Sequence, residues 1–225
     1  MTLEDILNIL KSQANMDNVA GMARFGINPD KTLGVSIPAL RKLAKQIGRD
    51  HRIAQELWDS GIHEARILAG FVDDPKLVTE AQLEAWVAGF DSWDVCDQVC
   101  AGLFDATPFA WNKAVEWTAR PEEFVKRAGF VLMAALAVHD KKAADDRFIA
   151  FLPLIARESN DARNFVRKAV NWALRGIGKR NRALNQVAIQ TARDILMLDS
   201  KTARWIAADA LRELSSDAVQ AKLVR

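Results

Sequence analysis

The sequence predicts an all-α fold, a solenoid of stacked two-helix repeats, on three observations. Apolar residues recur with a helical period in almost every segment and almost nowhere alternate. Gly (11) and Pro (6) are scarce, Tyr is absent and Ala and Leu are abundant, which favours helix over a turn-rich sheet. Related tetrapeptides also return at similar places in alternate helices: Arg66-Ile67-Leu68-Ala69, Asp97-Gln98-Val99-Cys100, Arg127-Ala128-Gly129-Phe130, Lys168-Ala169-Val170-Asn171 and Arg204-Trp205-Ile206-Ala207. Their spacing, roughly 30 to 40 residues, is that of helical-repeat arrays. In such an array the second helix of each pair lines a concave surface, so the polar residue heading each motif is expected along one groove. Asp97 is the acid among bases.

The elements follow in order. The first helix is expected over 3–13, with Thr2 as N-cap and Asp5 completing a near capping box. The second covers 16–24. A connector through Phe25-Gly26-Ile27-Asn28-Pro29-Asp30 and Leu33-Gly34-Val35-Ser36 leads to a helix capped by Ser36, with Pro38 in its first turn, that ends at Ile47. Further helices are expected at 50–59, 62–72, 78–89, 93–104, 107–118, 121–138, 142–157, 161–177, 182–198 and 201–214. Asp73-Asp74-Pro75, Thr107-Pro108 and Arg120-Pro121 mark helix starts. No long linker or low-complexity tract interrupts the series, so one domain over 1–225 is expected.

Half of the 225 residues are hydrophobic and 27% are charged, an ordinary globular mixture. The chain starts acidic, with no signal-peptide pattern and no apolar run of bilayer length, so the expected address is cytoplasmic and the default state a monomer. Cys96 and Cys100, one turn apart, read as buried thiols and not as a disulfide framework. His63-Glu64-Ala65-Arg66-Ile67 begins like a zinc-protease helix but carries Ile where the second His belongs, and three histidines in all leave no usual zinc site. Gly34-Val35-Ser36-Ile37-Pro38 lacks the final Gly of a nucleophile elbow, and Gly176-Ile177-Gly178-Lys179 lacks the spacing of a phosphate loop.

The net charge of +2 conceals an asymmetry: residues 1–110 hold 10 bases against 16 acids, and residues 111–225 hold 21 against 13. Seven bases (Arg163, Arg167, Lys168, Arg175, Lys179, Arg180, Arg182) crowd 161–182 against Asp161 alone. This is the footprint expected of a polyanion-binding face, although charge alone favours a solvated helix surface. Trp93 and Asp97, four apart, share one helix face; Trp172 follows Arg167 and Lys168 within the basic run; Arg127 adds a guanidinium. A carboxylate, two indoles and an arginine could handle a cationic aromatic ligand beside a phosphate. Each taken alone also fits packing or a surface charge.

Several stretches together resemble the HEAT-like alkylpurine DNA glycosylases: Pro38-Ala39-Leu40-Arg41-Lys42-Leu43-Ala44-Lys45, His63-Glu64-Ala65-Arg66, Ser92-Trp93-Asp94-Val95-Cys96-Asp97, Lys126-Arg127, and Arg167-Lys168-Ala169-Val170-Asn171-Trp172-Ala173-Leu174-Arg175. The resemblance covers essentially the whole chain and implies HEAT-like two-helix repeats with a concave basic groove around duplex DNA. It implies a monofunctional DNA glycosylase without metal or cofactor, in which Asp97 is the catalytic aspartate. Trp93 and Trp172 would flank the lesion nucleotide, and Arg127 would contact the backbone. Arg163, Arg167, Lys168, Arg175, Lys179 and Arg180 would supply sequence-independent affinity for DNA. An N3- or N7-alkylated purine is already positive, so one carboxylate stabilising an oxocarbenium-like sugar could suffice for its hydrolysis. Two alternatives stay open: a helical module that binds damaged or branched DNA without chemistry, and a protein-interaction scaffold.

Overall fold

The computed structural model describes residues 1–223, and every regular element among them is helical. Contacts divide the chain into two compact units, Met1–Phe109 and a second from Ala110 onward. The first holds α1 (Leu3–Ser12), α2 (Met16–Arg24), α3 (Ile37–Ile47), α4 (His51–Asp59), α5 (His63–Val72), α6 (Glu80–Ala88) and α7 (Trp93–Gly102). The second holds α8 (Ala110–Glu116), α9 (Glu123–His139), α10 (Asp145–Ile149), α11 (Leu152–Glu158), α12 (Asn164–Gly178), α13 (Arg182–Leu196), α14 (Lys201–Leu214) and α15 (Asp217–Leu223). No described helix is long and apolar enough to cross a membrane.

Periodicity and caps locate most of these helices within a residue or two. Thr2 and Asp5 form the full reciprocal box, the Asp5 amide donating to Thr2 Oγ1 at 3.2 Å and the Thr2 amide to Asp5 Oδ2 at 3.0 Å. The expected 93–104 and 107–118 helices are shorter, each closing in a 3₁₀ turn (Phe104–Ala106 and Trp117–Ala119). The expected 142–157 helix is broken into α10 and α11. Pro153 sits in the first turn of α11, where it lacks an N–H and its ring excludes a continuous helix through Ile149. The α15 helix, started where the Val219 amide reaches Ser216 Oγ at 3.4 Å, was not expected.

In the first unit α5 packs against α4, α7 and α3 and is buried on nearly every side. An aromatic stack closes one side of this core, Trp58 lying parallel to Trp86 with centroids 4.3 Å apart. In the second unit α9 is the central element, buried without interruption from Arg127 to Ala137 and lying along α12.

The α2 helix is different. Only Val19 of its nine residues is buried, so it rests on the unit through its ends more than through a packed face. The Asn15 amide donates to Leu33 O at 2.7 Å and Asn18 Nδ2 to Gly34 O at 2.9 Å. That approach requires glycine: Gly34 has φ +78°, and a Cβ there would lie 2.2 Å from Asn15 O. We therefore expect Gly34→Ala to destabilise the first unit by about 2 kcal/mol or more. The check is chemical denaturation, read as a lower midpoint at unchanged slope.

Candidate functional site

The connector between α2 and α3 runs over the ends of α5 and α7 and is fixed there by side chains from both. Glu64, on the first turn of α5 and 1% exposed, accepts from the amides of Leu33 (2.9 Å), Gly34 (2.6 Å) and Val35 (3.2 Å). Ser92 occupies the N-cap of α7, yet its hydroxyl makes no cap bond; Oγ accepts from the Asn28 amide at 3.0 Å instead. Asn28 Nδ2 donates to Asp91 Oδ2 at 3.1 Å. Trp93, the first residue of α7, donates its indole N–H to Phe25 O at 3.1 Å. Trp93 is half-buried, with its ring held by this bond.

These contacts enclose a cavity of about 460 Å³ between α2, the connector, α5 and α7. Its floor includes Ile27, Val35 and Ile67, its wall Trp93, and its rim the exposed Asp17, Phe25 and Ser36. His63 and Asp94 also line it, as a buried pair with Nε2 donating to Asp94 Oδ2 at 2.9 Å. Asp94 lies in the first turn of α7, where the helix dipole favours a negative charge. Burial alone would lower the His63 pKa. The hydrogen bond from His63 to Asp94 and the charges of Asp94, Glu64 and Asp91 outweigh burial and raise it above 6.5.

Asp97 lies one turn beyond Trp93 on α7, half-buried. It is not among the cavity-lining residues. On the same helix Cys96 and Cys100 are buried free thiols, as their spacing suggested. Burial, with Cys96 and the charges of Asp97 and Asp105 adding to it, pushes the Cys100 thiol well above its ordinary range. Neither thiol is a candidate nucleophile. At the repeat position one helix pair earlier, Arg66 stacks over Trp58 at 5.2 Å and donates to Gly89 O at 3.2 Å.

In the second unit the expected site residues have varied surroundings. Arg127 is 5% exposed, and its Nη1 donates to Phe165 O at 2.6 Å, joining α9 to the first turn of α12. It is an inner strut here and not a residue open along a groove. Trp172 is half-buried on α12. Lys168, Trp172, Arg175 and Lys179 form one stripe of that helix by their spacing.

Much of the basic cluster is occupied within the unit. Arg163 chelates Asp161 and donates to Pro121 O at 2.6 Å. Arg180 donates to Ala137 O and Ala143 O at 3.1 and 3.0 Å and stacks over Phe148, closing the C-terminal end of α9. Arg175 and Lys179 both pair with Glu213 of α14. Burial would raise the Glu213 pKa, but those two bases hold it below the usual range. Arg167 stacks over Trp205 at 5.0 Å, and Lys168 is exposed.

The residues that a linear reading missed are His63, Glu64, Asp94 and Asp17, which give the cavity its polar character. Glu64 had a usable signal, being a carboxylate inside a helix with no polar face beside a glycine-containing connector rich in unpaired amides.

The His63–Asp94 pair makes stability depend on pH. A histidine whose folded pKa lies above 6.5 contributes fully below 6.5, and the contribution disappears as pH rises through the folded value. Denaturation midpoints should therefore fall over that window in the wild type, and Asp94→Asn should flatten the decline while lowering stability on its acid side.

The sequence model of the DNA alkylation repair enzymes matches residues 6–214. No curated protein matches the chain. A solved structure from a new family of proteins related to the HEAT-like repeat DNA glycosylases, with affinity for branched DNA structures, has a TM-score of 0.80. The two are 19% identical over 95% of each chain, so the likeness is one of fold. An engineered protein (16% identity, 79% of this chain and 91% of that one, TM-score 0.36) and a designed armadillo repeat protein bound to a (KR)4 peptide (15%, 83% and 89%, 0.35) are more distant.

Proposed function

The chain belongs to the DNA alkylation repair enzyme family, and we propose that it is a monofunctional DNA glycosylase for N3- and N7-alkylated purines. The observation that carries this reading is the pairing on α7 of an anchored indole, Trp93, with a half-buried carboxylate, Asp97, one turn away. The alkylated purine is positively charged, so it departs as a neutral base when the glycosidic bond breaks and needs no general acid. Positive charge then develops on the sugar, where the Asp97 carboxylate stabilises it and orients the water that attacks C1′. The proton released from that water passes to Asp97 or to solvent. Trp93 offers its π face to the cation, an interaction of about 0.5–2 kcal/mol. The exposed Lys168 and the α12 stripe supply sequence-independent phosphate contacts.

The experiment is release of 7-methylguanine from methylated duplex DNA. The wild type should release it, and Asp97→Asn should lower the single-turnover rate by about a hundredfold or more while leaving DNA affinity within about twofold. Equal release by the two proteins removes Asp97 from the chemistry.

A second reading, DNA binding without excision, is favoured by one feature: Arg127 is engaged by Phe165 O inside its own unit. The fold relative with affinity for branched DNA points the same way. No release by the wild type, with four-way junctions bound more tightly than duplex, would establish this reading instead.

Phosphate binding by α12 predicts competition with Glu213, which already pairs with Arg175 and Lys179. Glu213→Gln should tighten duplex binding severalfold at low salt and steepen the dependence of log K on log salt, each additional phosphate contact adding about 0.9. An unchanged slope would show that these two bases do not contact phosphate.

A further inference from the structure

Six of the seven tryptophans are buried or half-buried, and the seventh, Trp205 on α14, stands 41% exposed. The packed face of α14 is made by Ala203, Ile206, Ala207, Ala210 and Leu214, and the indole adds nothing to it. The ring is nevertheless held in place. The Arg167 guanidinium of α12 stacks over it at 5.0 Å, and Arg167 Nη2 donates to Asn164 Oδ1 at 3.2 Å. Arg167 Nη1 has no hydrogen-bonding partner among the described residues, nor has the buried Nε.

The surroundings are cationic. Lys168 follows Arg167, Lys201 lies one turn before Trp205 on the same helix, and Arg204 is its neighbour; all three are exposed. Lys168 and Lys201 have no ionic partner among the described residues. The acids in and just before this part of α14 are answered, Asp199 by Arg204 at 3.4 Å and Asp209 by Arg175 at 3.6 Å and by Arg212. A polyanion therefore meets open positive charge beside an open aromatic surface.

That combination suits a single strand better than a duplex. A base stacks on an aromatic ring while cations hold the phosphates on either side, but paired bases already stack on one another and offer no free face. We infer that Trp205, held by Arg167, is a stacking site for an unpaired base of a DNA strand, with Lys168 and Lys201 on the flanking phosphates. The stacked guanidinium restricts the ring before the strand arrives, so less freedom is lost on binding, and its unpaired Nη1 adds a donor for phosphate. An acidic peptide would meet the same charges but present no flat π face to the indole. The site stands apart from the Trp93–Asp97 pair, which belongs to the first unit, and no bond is broken at it.

The test is fluorescence anisotropy of a labelled oligothymidylate titrated with the full chain at low salt. The wild type should bind it. Trp205→Ala, at unchanged helical content, should weaken binding about tenfold, and Trp205→Phe should stay within about threefold of the wild type. On a strand of equal length built of abasic sites, and on blunt duplex, Trp205→Ala should change affinity by less than about twofold. The abasic strand separates lost stacking from a displaced Arg167, since the latter would weaken phosphate contacts on both strands alike. No binding of oligothymidylate, unchanged binding by Trp205→Ala, or an equal loss on the abasic strand or the duplex overturns the assignment. A thymidine strand has no purine to release, so the outcome is independent of the glycosylase reading.

Discussion

The Glu64 carboxylate, sealed from solvent, could not remain charged there without compensation, since burying an isolated carboxylate costs several kcal/mol. The connector has the complementary deficit, because its amides at Leu33, Gly34 and Val35 have no helical partner. One side chain meets both needs through charge-assisted bonds to three successive amides. The consequences run outward along the chain. With Leu33–Val35 fixed, Asn15 and Asn18 dock onto the connector and set the position of α2. Phe25 O then accepts from the Trp93 indole, and Asn28 donates to Ser92 Oγ and Asp91 Oδ2. The orientation of the indole and the existence of the cavity therefore trace back to one acid on α5.

The second unit uses its arginines in a parallel way. Arg127, Arg163 and Arg180 donate to backbone carbonyls of neighbouring segments, at Phe165, Pro121, Ala137 and Ala143. A guanidinium with several donors can close a helix end and stack on an aromatic ring at once, as Arg180 does over Phe148. Bases engaged in this manner contribute field but few new contacts to a polyanion. Those paired with Glu213 contribute only by exchanging one anion for another, so the number of released counterions is smaller than the number of positive residues in 161–182.

Helices, caps and the buried thiols were legible because each depends on residues close in sequence: Thr2 with Asp5, Pro38 in its first turn, Cys96 with Cys100. The break at Pro153 was legible in principle, as proline punctuates any helix, but the surrounding apolar period masked it. What could not be read was pairing across long separations. Nothing near Arg175 or Lys179 announces Glu213 more than thirty residues later, and nothing near Arg127 announces that Phe165 O will accept its hydrogen bond. The fragment His63-Glu64-Ala65-Arg66 shows the same limit from the other side. As a metal motif it fails on one residue, yet in the structure its three polar members hold Asp94, the connector and Trp58.

The segregation of charge gains a meaning from these pairings. Ala110 is uncharged, so the balances of −6 and +8 apply equally to the two units. The proposed activity, on a cationic base within a polyanion, carries opposing electrostatic demands: positive potential gathers phosphate but repels the lesion. The balance is biased and not exclusive: acids prevail in the first unit and bases in the second. Within the first unit the same logic recurs at finer scale. Glu64 and Asp94 are answered by the amides and His63, which leaves Asp17 at the rim as the lining carboxylate without a partner among the described residues.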